Sequence, residues 1–100
     1  MTDSKRDHER NVIIGPKTRA FYKDVSRPPA DGDEYIEIAW GQRLSGGFEV
    51  RVIRGLWHGE QSAPKCKTFG TPEEMERAVH AHTIDAVNEG FKPALPDAVQ

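Results

Sequence analysis

The segment from Thr71-Pro-Glu-Glu74 to Gly90-Phe91-Lys-Pro93 constrains this chain most, because both ends of one helix are written into it. Thr71 supplies an N-cap hydroxyl and Pro72 takes the first helical position, where its missing N–H has no partner to lose. Glu74 stands at the third position, within reach of the cap amide. At the far end Gly90 suits a left-handed terminating residue, Phe91 can pack back on the last turn, and Pro93 prevents resumption. The spacing predicts a helix over 72–89, about 27 Å long at about 1.5 Å per residue. Met75, Ala78, Val79, His82 and Ala86 fall on one stripe, with Val87 at its margin, so the helix has one side to bury.

Two runs of period two supply a surface for that side. In Tyr35 to Trp40 the residues Ile36, Ile38 and Trp40 share one face and Tyr35, Glu37 and Ala39 the other. In Phe48 to Arg54 the residues Phe48, Val50 and Val52 oppose Glu49 and Arg51. Each reads as a strand with one wet face. The glycine-rich stretch Gly41 to Gly47 between them predicts a hairpin loop of about seven residues. Gly55 and Gly59 bracket a second turn, after which Ala63 to Phe69 can return as a third strand. Pro64 belongs at its start or on an edge, because proline donates nothing to a ladder.

Before residue 34 the pattern is lost. Residues 1–34 hold seven basic and seven acidic side chains, and their apolar anchors are Val12-Ile13-Ile14 and Ala20-Phe21-Tyr22. Gly15-Pro16 separates these anchors, and Arg27-Pro28-Pro29-Ala30-Asp31-Gly32-Asp33 reads as a turn-biased linker. Residues 1–10 are expected to be disordered. Residues 11–25 form an arm that either adds a strand or stays mobile, since so few apolar groups offset only part of an ordering cost of about 1–2 kcal/mol per residue. The expected organisation is a charged arm and linker over 1–33, an α+β domain over 34–93 and a disordered tail over 94–100.

Length and composition narrow the classes. One hundred residues fit one domain. The chain has no stretch of about 20 apolar residues to span a membrane, and one cysteine, Cys66, builds no internal disulfide. No apolar run follows the charged start as a secretory signal requires, so a cytoplasmic location is expected. The net charge of −2 hides a separation. Arg43, Arg51, Arg54, Lys65 and Lys67 outweigh Glu49 and Glu60 over residues 41–69, whereas Glu73, Glu74, Glu76, Asp85 and Glu89 outweigh Arg77 over 72–90. Those five basic residues are the candidates for a nucleic-acid surface, against the alternative of solvated strand residues that discourage edge aggregation. An overall acidic balance argues against a dedicated nucleic-acid domain.

The preferred partner patch is Arg54, Leu56, Trp57 and His58, because tryptophan and arginine are enriched at binding hot spots and no regular element obviously covers Trp57. The competing reading folds Leu56 and Trp57 over the open end of the core. Trp40 aligns with Ile36 and Ile38 and is expected in the core. His58, Cys66, His80 and His82 have no zinc-type spacing, and His80 and His82 point about 200° apart on a helix. Cys66 between Lys65 and Lys67 could carry a depressed pKa, but strand alternation turns both lysines to the opposite face. No nucleophile elbow, P-loop, dinucleotide fingerprint or zinc-protease pair is present. No catalytic residue, metal or cofactor is therefore assigned.

The run Lys67-Thr-Phe-Gly-Thr-Pro-Glu-Glu-Met75, ending at Gly90-Phe91 after a hairpin, resembles the closing part of WGR domains, which accompany nucleic-acid-binding enzymes. Here Trp40-Gly41-Gln42-Arg43 interrupts the name-giving triplet with glutamine, so no contact residues carry over. The strands followed by Thr-Pro-Glu-Glu are also similar to the HicB-type antitoxin core, without its Pro-Asp and Gly-Cys steps before the helix. Both likenesses rest mainly on a helix cap, and the chain is assigned to neither family.

The sequence thus predicts an α+β domain in which an antiparallel meander of two or three strands packs on one long C-terminal helix. A core this small favours an oligomer or a docked arm. The expected function is a small non-enzymatic binding module, a regulator or inhibitor acting through a protein partner or self-association. Nucleic-acid binding and a small enzyme are the alternatives.

Overall fold

A computed structural model describes residues 12–94. The expected disorder of residues 1–10 and most of the expected tail lie outside the described residues. The strands are β1 (Ile13–Tyr22), β2 (Glu34–Arg43), β3 (Phe48–Leu56), β4 (Lys65–Phe69) and β5 (Lys92–Pro93), with helix α1 (Pro72–Asn88) between the last two. They form one antiparallel sheet in the order β4-β3-β2-β1-β5, and α1 packs against one of its faces. The α+β architecture is the expected one. The strand count is corrected from two or three to five, because the arm contributes β1 and the residues after α1 contribute β5.

β1 is held by burial near both ends, at Ile13 and Phe21, and by pairing along its length. It runs against β2 from Ile13 opposite Arg43 to Tyr22 opposite Tyr35. Phe21 is fully buried and joins Ile36, Ile38, Val50, Met75, Val79, Ala86 and Phe91 in the core. Near the other end β1 carries one extra residue between Ile14 and Lys17, a bulge that contains Gly15 at φ +52° and Pro16. Beyond the bulge the Ile13 side chain crosses Gly41 so closely that a Cβ on Gly41 would stand 2.7 Å from the isoleucine Cγ2. Gly41 therefore belongs to β2 as a point of close approach, and the hairpin loop shortens to residues 44–47.

The helix ends follow the sequence closely. The Glu74 amide donates to Thr71 Oγ1 at 3.2 Å, and the Thr71 hydroxyl donates to Glu74 Oε1 at 3.2 Å. The glutamate thus answers the cap hydroxyl rather than the cap amide. At the C-terminus Gly90 adopts φ +96°, its amide donates to the Val87 carbonyl at 3.0 Å, and the Phe91 amide reaches back to the Ala86 carbonyl at 3.0 Å. This is a complete Schellman closure, with Phe91 buried beneath it. Replacing Thr71 by alanine should lower the unfolding free energy by about 1 kcal/mol, with serine close to neutral, in denaturant titrations followed by circular dichroism.

Met75, Val79 and Ala86 are buried and Ala78 is partly so, but His82 of the expected stripe and Val87 at its margin are not. His82 is exposed at the flank of α1, and Val87 is half exposed. A single helix covers only part of a five-stranded sheet, so residues on its flanks stay in water.

Candidate functional site

Strand alternation separates the candidate residues onto two faces of the sheet. Phe21, Ile36, Ile38, Val50 and Val52 point toward α1. Arg54, Leu56, Lys65 and Lys67 share that side by register. Tyr22, Tyr35, Glu37, Glu49, Arg51 and Cys66 occupy the opposite side. The proposed patch of Arg54, Leu56, Trp57 and His58 is therefore not brought together. Arg54 donates from Nη1 to Glu89 Oε1 at 2.9 Å and from Nη2 to Glu89 Oε2, a bidentate pair between β3 and the C-cap of α1. Leu56 is 40% exposed on that side.

Trp57 turns the other way. Its ring meets Tyr22 and Tyr35 edge-on, with centroids 6.1 and 6.0 Å apart, and His58 stacks on it at 4.9 Å. The Trp57 amide donates to the Asp33 carbonyl, and the Gly32 amide donates to the Trp57 carbonyl, which ties this turn to the proline-rich linker. His58 Nδ1 lies 2.7 Å from Asp31 Oδ1. The tryptophan thus folds over one end of the sheet, on the face away from α1, and Tyr35 is buried rather than wet. Burial, with the Glu37 carboxylate beside it, pushes the Tyr22 hydroxyl up. Trp40 is half-buried on the helix side, with the Arg19 guanidinium 5.8 Å from its ring centroid.

The five basic candidates also divide. Arg43 and Arg51 flank Glu49, the one buried charged residue among those described, whose side chain is 1% exposed. Arg51 Nε and Nη2 donate to Glu49 Oε2 at 3.1 and 2.8 Å, and Arg43 Nε lies 3.3 Å from Oε1. Lys65 and Lys67 sit on the other face, and neither forms an ion pair among the described residues. The sequence reading missed the Glu49 cluster. Its available signal was local: Glu49 and Arg51 are two apart on one strand, hence on one face.

Cys66 pairs in register with Arg51, away from both lysines. Burial foremost, and then the Glu49 carboxylate, push its thiol up against the opposing pull of Arg51. The thiolate is disfavoured there, opposite to what a nucleophilic cysteine requires. Among the described residues no group of three histidine, cysteine, aspartate or glutamate side chains could hold a metal ion. No described helix is long and apolar enough to cross a membrane.

Among the described residues two backbone edges are left without a full partner strand. β5 pairs with Phe21 and Tyr22 of β1, and the Ala94 amide donates to the Ala20 carbonyl at 2.9 Å. Among the described residues the rest of β1 is an outer strand, but the bulge and Pro16 interrupt it. β4 is the other outer strand: Lys65 to Phe69 pair regularly with Val52 to Phe48, with no proline, glycine or bulge. Its first four residues are exposed. Between this edge and α1 lies a groove of about 410 Å³, with Ile36 and Val52 along the sheet and His82, Asp85 and Asn88 along the helix. No protein-family model, curated protein or solved structure matches the chain, so neither the WGR nor the HicB-type resemblance is supported by a match.

Proposed function

We propose that this chain is a small non-enzymatic binding module that acts through a second polypeptide, added as a strand along β4. The observation that carries the reading is the uninterrupted outer edge of Lys65 to Phe69. An extended segment gains main-chain hydrogen bonds on such an edge, with specificity from alternate side chains. A protein partner is favoured over another copy of the chain. The antiparallel register that pairs all five β4 residues with themselves sets Lys67 directly opposite Lys67 of the second copy, and like charges in that position are destabilising.

Nucleic acid has less support. Arg43 and Arg51 are turned away from Arg54, Lys65 and Lys67, and three of the five guanidinium or ammonium groups already face carboxylates. A regulator or inhibitor is the natural role for a module whose working surface is backbone rather than a reactive constellation.

The test is affinity capture from the native host with nuclease treatment as control, followed by hydrogen exchange on the recovered complex. A protein should be retained after nuclease, and alternate amides of Lys65 to Phe69 should gain protection. Retention abolished by nuclease would point to nucleic acid, and a complex with unchanged β4 exchange would reject the edge.

A further inference from the structure

The groove beside β4 has a chemistry of its own. Arg54 and Glu89 satisfy each other across one part of it, and the guanidinium holds the Glu89 carboxyl below its usual range. Two further opposite charges stand along the walls, Lys65 on the strand and Asp85 on the helix, and Asp85 adds its field to that of Glu89 at the Arg54 guanidinium. Neither side chain makes a hydrogen bond or an ion pair among the described residues, and they do not bridge to each other. Between them Ile36 and Val52 give an apolar floor. The volume of about 410 Å³ lies within the range of small-molecule sites, which join apolar lining to a few convergent polar groups.

We propose that this groove binds a zwitterionic small molecule with an apolar body, an α-amino acid with a branched aliphatic or aromatic side chain being the simplest case. The carboxylate faces Lys65, the ammonium faces Asp85 and the side chain covers Ile36 and Val52. Any ligand of one charge meets one attractive and one repulsive wall, and a neutral one pairs with neither Lys65 nor Asp85. The Arg54 to Glu89 clamp joins the end of α1 to β3 and holds the walls in place before a ligand arrives, which reduces the ordering cost of binding. This site is separate from the strand-pairing reading: it takes a small molecule on the helix side of the sheet and requires no partner chain.

Amide chemical-shift titration of the full chain tests it. Leucine and phenylalanine should shift the amides of Val52, Lys65, Asp85 and Asn88. Phenylalanine amide, phenylpropionate and glycine lack the carboxylate, the ammonium and the apolar body respectively, and each should bind roughly tenfold more weakly or worse. Lys65→Gln should erase the preference for phenylalanine over its amide, and Asp85→Asn the preference over phenylpropionate. Both are exposed, so an unchanged spectrum away from the groove verifies the fold. Absence of groove shifts at millimolar ligand, equal binding by the single-charge analogues, or binding that survives both substitutions would overturn the proposal.

Discussion

Phe21→Ala should lower the unfolding free energy by about 3–5 kcal/mol, measured as a fall in the denaturant midpoint with tryptophan fluorescence or circular dichroism. Phe21 is 0% exposed and belongs to the same cluster as Ile36, Ile38, Val79 and Phe91. Truncation to alanine removes the transfer free energy of the ring and leaves a cavity that the sheet on one side and α1 on the other are too constrained to close. A domain of this size holds a total of about 5–15 kcal/mol, so one substitution in the arm should consume much of it. Lys17→Ala, on the same strand but exposed, should stay within about 0.5 kcal/mol of the parent. An unchanged midpoint for Phe21→Ala would mean that β1 is not part of the cooperative unit.

That single side chain also marks the boundary of what a sequence reading reaches. α1 was legible because its signals are local: Thr71, Pro72, Gly90 and Phe91 each act within one turn of a helix end. β2 and β3 were legible because their helix-facing residues alternate without interruption. β1 shows no such alternation. Lys17 and Arg19 face the same side as Phe21, where α1 does not cover them, so a charged stretch is in fact a strand with an exposed middle between buried Ile13 and Phe21. Its order comes from pairing with β2, which no window of β1 alone contains.

The candidate surfaces divide along the same line. Alternation correctly separated Cys66 from its neighbouring lysines, since that is a one-strand property. The Arg54 to His58 patch failed to assemble because β3 ends at Leu56 and the left-handed residue His58, at φ +58°, helps to redirect the chain toward the linker. Trp57 then meets Tyr22 and Tyr35, two rings that lie opposite each other across the β1–β2 pair and far away in sequence. The groove likewise joins β2, β3, β4 and α1, and the pairing of Arg54 with Glu89 spans 35 residues. Contacts of that separation follow from register and crossing angle, which hydrophobic patterning does not specify.

The second large effect concerns the charge cluster on the face away from α1. Simultaneous Arg43→Met and Arg51→Met should lower the unfolding free energy by about 3–5 kcal/mol, because they leave the Glu49 carboxylate buried without a cation. Glu49→Gln should cost less, about 1–3 kcal/mol. The asymmetry follows from exposure: Glu49 is 1% exposed, while Arg43 and Arg51 are 21% and 27% exposed and can turn their guanidinium groups to water when the carboxylate is gone. Adding Glu49→Leu to the double methionine variant should therefore raise its stability, a sign reversal that a triple-mutant cycle in urea reads directly. If the carboxylate contributed only as one of several surface charges, the three changes would add and the leucine would bring no recovery. Recovery would establish that the second face of the sheet is organised around one buried anion.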